Sequence, residues 1–396
     1  MSMIEHGAAR RPLSAALLLT SGVVVALLIA ETALRVAGIS FPVFDTYDEL
    51  RGVALRPGNE GWYQREGKAY LRINSAGYRD SEHQVAKPAN TFRIAVLGDS
   101  FAEARQVAVE DTFWSHLGHH LGSCPAYGGR TVEVLNFGVG GYGTTEELLT
   151  LRKDALRYSP DLVLLAFFVG NDVRDNSREQ TRAEGWRVPK PIYFRENGKL
   201  VLDDSFRQSR GQQLLYEATH HSRLLQLVNE ARRAWVTRQV QAAAAENAEG
   251  RAGPATVDEI YAPPPDPAWQ EAWQVTEELL GQMNREVEAA GARLVVSMVT
   301  TPEQVQPDPA VRHAFEQRLG VSDLFYASRR LSAVGQREGF QVITLAERLQ
   351  QVATERRVFL HGFKNSVLGE GHWNEEGHRE AAKVIVEGLC GGTHAH

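Results

Sequence analysis

The chain has 396 residues, 43 % hydrophobic and 23 % charged, which suits a globular protein with one substantial core and room for an insertion. Its net charge is −6 and its basic residues are scattered, so no nucleic-acid-binding face is expected. Cys124 and Cys390 are far apart and form no CxxC pair, which argues against a zinc site or a disulfide-rich scaffold; one disulfide and two core thiols are the alternatives.

Arg10, Arg11 and Pro12 precede an apolar run from Leu13 to Ala30, closed by Glu31 and Arg35. As a helix this run approaches the ~20 residues that cross a bilayer and exceeds the apolar region of a cleaved signal. Residues 1–38 are therefore expected to form a single membrane-spanning anchor. The paired arginines favour an inside N-terminus and a bulk domain outside the cytoplasmic membrane.

Residues 39–90 read as an irregular leader rich in turn formers, such as Arg56-Pro57-Gly58-Asn59 and Asn74-Ser75-Ala76-Gly77. Short apolar runs then follow at Arg93–Leu97, Val132–Phe137, Leu162–Phe168, Leu294–Met298 and Phe340–Thr344, each with the look of a buried parallel strand. Amphipathic stretches lie between them. One begins at Thr144, where Thr144 and Glu147 have capping-box spacing, and runs towards Pro160. Alternation of this kind predicts an α/β domain over residues 91–396, a three-layer α/β/α sandwich around a mostly parallel five-stranded sheet. The gap from about 175 to 280 is too long for a simple crossover and is read as an insertion with one or two helices. Its Ala/Glu/Arg-rich stretch Gln239–Arg251 carries no chemistry.

Ligands of open parallel sheets bind beyond the carboxyl ends of the strands. The first strand runs into Gly98-Asp99-Ser100, the second into Asn136-Phe137-Gly138-Val139-Gly140-Gly141, and the third into Gly170-Asn171-Asp172. Glu370-Gly371-His372-Trp373-Asn374 precedes a final helix. The glycine-rich loop lacks the Lys-Ser/Thr ending of a P-loop and is a poor dinucleotide fingerprint. Each block alone is weak evidence.

In this order and placement the four blocks resemble the SGNH (GDSL-like) hydrolase superfamily, over about residues 92–388. Asn74-Ser75-Ala76-Gly77-Tyr78-Arg79-Asp80 and the Glu31…Leu34-Arg35 end of the apolar segment resemble its membrane-anchored bacterial members. The resemblance implies a flavodoxin-like SGNH fold, with Ser100 as nucleophile, His372 as general base and Asp99 holding the turn. It further implies an oxyanion hole made by the Ser100 N–H, the Gly141 N–H and the Asn171 side-chain amide. Gly141 is chosen over Gly138 and Gly140 by counting from Asn136. A serine hydroxyl needs an adjacent base to attack, and the oxyanion needs preorganised donors, so these residue types suit acyl transfer.

The family's aspartate three residues before the histidine is Gly369 here. Glu370, in an acidic-x-His-Trp arrangement similar to that of SGNH-like polysaccharide O-acetyltransferases, is expected to orient His372. The expected function is hydrolysis of an ester of a cell-envelope or exported glycan through an acyl-Ser100 intermediate, with no metal or cofactor. A polysaccharide O-acyltransferase using the same site is the alternative, and a non-catalytic carbohydrate-binding or assembly protein is the alternative of another class. His116, His119 and His120 are read as a helix face, and His394 and His396 as part of a glycine-rich tail. Trp114, Trp186, Trp269 and Trp273 are read as core or interface residues, with Trp186 and Trp269 as possible walls of a carbohydrate groove.

Overall fold

A computed structural model describes residues 10–122, 124–179, 190–208, 210–246 and 258–391. Its five apolar runs become the strands β5 (Thr91–Gly98), β6 (Thr131–Asn136), β7 (Leu162–Phe168), β10 (Arg293–Val299) and β11 (Gln341–Thr344). They form one parallel sheet in the order β11-β10-β7-β5-β6, with Val96 opposite both Asn136 and Leu164. Numbered within the sheet this is the doubly wound order 2-1-3-4-5, whose direction reverses beside β5.

Alternation along β5 explains the two cores. Ala95 and Leu97 point into one cluster with Trp273, Leu279 and Leu331, while Ile94 and Val96 point into another with Leu117, Trp373 and Ile385. Helices Pro267–Ala289 and Tyr326–Glu338 thus cover one face, and helices Phe113–Leu121 and Glu375–Gly391 the other. With both faces covered, central strands can be apolar at every position. Cys124 and Cys390 form a disulfide with a Cα–Cα distance of 5.9 Å, beyond the ends of the helices Phe113–Leu121 and, at its last turn, Glu375–Gly391.

Two local expectations are corrected and one is extended. Residues 39–90 are not wholly irregular: β1 (Asp45–Asp48) pairs with β2 (Gly52–Leu55), and β3 (Glu60–Tyr63) with β4 (Ala69–Arg72). Their turn-forming residues close hairpins, and strands of four residues are too short to show a period. The 175–280 region adds a hairpin, β8 (Ile192–Glu196) with β9 (Lys199–Asp203), before helices Arg210–His221 and Arg223–Glu246. In helix α4 (Thr144–Lys153) the side chain answering the cap is Glu146, which accepts from the Gly143 N–H at 3.1 Å, because the helix starts one residue earlier in phase than Thr144 as cap requires.

The chain divides into two compact units, Met1–Val43 with Gly211–Gly253 and Phe44–Arg210 with Pro254–His396. The first contains α1 (Arg10–Val36), whose stretch Ala15–Val36 has a mean hydropathy of 2.2 and no fully buried residue, long and apolar enough to cross a membrane. The second contains the parallel sheet.

Candidate active site

Strand β5 ends at Gly98, and Ser100 opens the short helix α2 (Ser100–Glu103). Asp99 caps it: its Oδ1 accepts the Phe101 N–H at 2.9 Å. As first residue of the helix, Ser100 has an N–H that no intrahelical carbonyl can take. Behind the helix, buried Arg79 donates to the carbonyl oxygens of Glu103 at 2.9 Å, of Ala104, and of Val107 at 2.6 Å. Ala104 sits at φ +54°, a left-handed conformation that is unusual for a residue with a Cβ, and Arg79 clamps that turn.

Ser100 and His372, 272 residues apart, meet with Oγ and Nε2 at 2.7 Å. The carboxylate on the other side of the ring is Glu66. Its Oε2 lies 2.6 Å from His372 Nδ1, and its Oε1 accepts the His372 backbone N–H at 2.7 Å. Glu66 comes from the loop joining β3 to β4. That loop is pinned by Asn365, whose Oδ1 accepts from Gly67 N–H at 2.9 Å and whose Nδ2 donates to Gly67 O at 2.8 Å.

This overturns the expectation for Glu370. Its side chain is exposed and makes no hydrogen bond or ion pair with His372. The turn Val367–Glu370, with Gly369 and Gly371 both at positive φ, leaves Glu370 facing solvent. Glu66 instead fills the space over Gly371, where an added Cβ would stand 2.2 Å from Glu66 Oε1. Burial alone would lower the His372 pKa, but the Glu66 hydrogen bond and charge raise it above the ordinary histidine value. Burial likewise acts to raise Glu66, and the bonds from His372 outweigh it, holding the carboxyl below its usual range.

Of the glycine-rich loop, Gly138 N–H is taken by Asn136 Oδ1 at 3.0 Å and Gly140 N–H by Glu103 Oε2 at 2.6 Å. Gly141 N–H has no hydrogen-bond partner among the described residues, and Gly141 is exposed at φ +83°. That φ suits glycine alone. Gly138 is needed for a different reason, since a Cβ there would stand 2.4 Å from the Ala102 Cβ on the Ser100 helix. Glu103 also binds the Arg105 Nε, and Arg105 reaches Asp45 at 2.5 Å, so the leader braces this loop as well.

Asn171, in helix α5 (Val169–Asp172) at the end of β7, donates from Nδ2 to Asp99 Oδ2 at 2.9 Å and to Tyr142 O at 3.0 Å. Both amide hydrogens are thus engaged, and its buried Oδ1 has no partner. Beneath it lies a set of buried carboxyls: Asp99, Asp172 and Glu147. Both Glu147 oxygens and Asp172 Oδ1 lack a hydrogen-bond donor. Burial first, and then their mutual repulsion, pushes Glu147 and Asp172 far above the usual carboxylate range. Burial also pushes Asp99 up, to about 6, against the Phe101 N–H that favours its charge.

Two residues escape sequence reasoning. Glu66 stands in no motif, and no local pattern marks it. His361, also unmarked, is fully buried and holds the His372 loop, with Nδ1 donating to Gly371 O at 2.7 Å and Nε2 3.0 Å from Thr300 Oγ1. Burial lowers its pKa to about 4, so it is neutral and serves as a strut. Thr300 also accepts from Trp373 Nε1 at 2.8 Å. Trp269 is 2 % exposed and packed in the core; Trp186, His394 and His396 lie outside the described residues. His116, His119 and His120 lie on helix α3 (Phe113–Leu121).

The profile of the GDSL-like Lipase/Acylhydrolase family matches residues 96–380. Among solved structures, an acetyl xylan esterase, AlAXEase, is similar at 13 % identity, covering 74 % of this chain and 98 % of its own, with a TM-score of 0.39. TesA is similar at 13 % identity, covering 75 % and 97 %, with a TM-score of 0.35. A catalytic mutant of Axe2, an acetylxylan esterase from Geobacillus stearothermophilus, is similar at 10 % identity, covering 75 % and 94 %, with a TM-score of 0.36. A comparison with curated proteins finds no match.

Proposed function

This chain belongs to the GDSL-like lipase/acylhydrolase family, and on that premise we propose that it is a serine esterase working through an acyl-Ser100 intermediate. The observation that carries the reading is the unbroken line Ser100 Oγ, His372 Nε2, His372 Nδ1, Glu66 Oε2. With Nδ1–H donated to Glu66, the Nε2 lone pair faces the Ser100 hydroxyl and takes its proton as Oγ attacks the ester carbonyl. The oxyanion is met by the Ser100 and Gly141 N–H groups and by Asn171 Nδ2, which gives up its bond to Asp99 or Tyr142 O in exchange. Collapse of the tetrahedral intermediate expels the alcohol, protonated by the His372 imidazolium. Water then attacks the acyl-serine with His372 as base, releasing the acid and restoring the serine.

Water is the acceptor in this reading. The O-acyltransferase alternative drew on an acid beside His372 at position 370, and that side chain is exposed. The non-catalytic alternative drew on the missing family aspartate, a role for which Glu66 has the geometry. For the substrate we propose a short acyl ester, such as acetyl, on a cell-envelope or exported glycan. Its support is location: α1 is suited to a single membrane span, the paired arginines before it favour a domain outside the cytoplasmic membrane, and a disulfide persists best in an oxidising compartment.

A fluorophosphonate probe tests the chemistry. The wild type is expected to be labelled and Ser100→Ala not; equal labelling of both would sink Ser100 as nucleophile. Release of acetate from acetylated glycan, with and without an unacetylated acceptor, then distinguishes hydrolysis from transfer.

A further inference from the structure

The apolar segment closes on Glu31 and Arg35. Both are occupied within the first compact unit. Glu31 accepts from the backbone N–H groups of Arg223 and Leu224 at 3.0 and 2.9 Å and from Ser222 Oγ at 3.0 Å. Arg35 binds Glu31 at 2.8 Å and donates to His221 O at 2.6 Å. The last turn of helix Arg210–His221 and the first turn of helix Arg223–Glu246 are thereby bolted to the end of α1. Glu31 lies five residues before Val36, about 7.5 Å along a helix axis. If Ala15–Val36 spans a bilayer, the junction between the two inserted helices lies at the depth of the membrane boundary.

Among the described residues, both helices expose apolar side chains on the chain either side of that junction. Leu224, Val228, Ala231 and Trp235 recur at intervals of four, three and four, one stripe of a helix. Val228 is 56 % and Trp235 62 % exposed, and on the preceding helix Leu214 is 71 % and Leu215 65 % exposed. Exposed Arg232 and Arg238 flank the stripe. The opposite side of the second helix holds buried Gln226, which accepts the Phe41 N–H at 3.2 Å. Apolar residues beside arginines, with a tryptophan among them, is the composition of a helix lying in a lipid headgroup region.

We propose that helices Arg210–His221 and Arg223–Glu246 are interfacial membrane helices that lay these apolar side chains into the outer leaflet, beside α1. The inference rests on the membrane-spanning reading of α1. Glu31 and Arg35 form its hinge pin: the carboxylate is tolerated at that depth because four donors satisfy it, two of them at a helix N-terminus.

Environment-sensitive fluorophores on introduced cysteines test it, the native pair being bonded to each other. Full-length Leu215→Cys, Val228→Cys and Leu19→Cys variants are labelled and reconstituted in phosphatidylcholine–phosphatidylglycerol vesicles with or without brominated acyl chains, with circular dichroism verifying the fold of each. Emission at positions 215 and 228 is expected to shift to the blue and to be quenched by brominated lipid to a degree comparable with position 19. Quenching at position 19 alone overturns the interfacial helices and leaves the span intact. Blue-shifted but unquenched emission at 215 and 228 assigns the face to protein, a second copy or another partner, and overturns the proposal likewise. Quenching at none of the three overturns the span and the interfacial helices together.

Discussion

Glu66 Oε2 lies 2.6 Å from His372 Nδ1 across 306 residues of chain, so the carboxylate that orients the imidazole belongs to a hairpin of the leader and not to the loop that carries the histidine. The sign of its effect on pH dependence follows. Glu66 raises the His372 pKa, and in the proposed mechanism His372 must be neutral to accept the Ser100 proton, so wild-type activity is expected to rise with pH through that raised value. In Glu66→Gln the imidazolium loses its anionic partner and its pKa falls. The acid limb of the kcat/KM profile is expected to move to lower pH, while the plateau drops on the order of 10²- to 10⁴-fold through lost orientation. Glu370→Gln is expected to leave both limb and plateau in place. A shifted limb in Glu370→Gln with none in Glu66→Gln would reverse the assignment.

Gly371 is the position at which Glu66 and the histidine loop compete for space. A Cβ there meets Glu66 Oε1 at 2.2 Å, at a backbone φ of +73° that disfavours any side chain. Gly371→Ala is expected to lower kcat towards the value of Glu66→Ala. Combined with Glu66→Ala it should add little further loss, since the displaced carboxylate is already gone. Full additivity in this double-mutant cycle would refute the steric account.

Asn171 Nδ2 holds two bonds, one of which the oxyanion displaces in the proposed mechanism. Asn171→Ala is expected to lower kcat about 10²- to 10³-fold with a much smaller change in KM, because the amide serves the transition state. An effect confined to KM would instead make Asn171 a ground-state binding residue.

Glu147 is a stability prediction. Its folded-state pKa lies well above 4.5, so above pH 4.5 the native state binds a proton that the unfolded state has released. Stability therefore falls as pH rises from that point until Glu147 ionises in the fold. Glu147→Gln abolishes this term. The variant is expected to unfold at higher denaturant concentration than the wild type, with a difference that widens by on the order of 1 kcal/mol per pH unit above pH 4.5. Parallel pH–stability curves for the two proteins would count against a buried, protonated Glu147.

The sheet was legible because burial on both faces imposes unbroken apolar runs, and Leu162–Phe168 is read from such a run with the same ends it has in the fold. The hairpins of the leader were not, since four-residue strands leave no measurable period and their stability comes from packing. Counting from Asn136 selects Gly141, and in the fold the neighbouring amides of Gly138 and Gly140 are spent on Asn136 and Glu103. The sequence could not reveal that expenditure: Glu103 is one of 49 acidic residues and nothing marks it.

From the sequence alone came the strands, the apolar helix, and the positions of Ser100, Gly141, Asn171 and His372 at strand ends and in the last loop. Each is fixed by a local pattern of apolar runs, glycines and turn residues. The tertiary structure alone decided which carboxylate meets His372. Spacing along the chain favoured Glu370 two residues away, but backbone direction at Gly369 and Gly371 turns it outward. Glu66 occupies the vacated space because a hairpin pinned by Asn365 delivers it there. A hydrogen bond depends on distance and direction in space, and those are set by packing, to which separation in sequence is no guide.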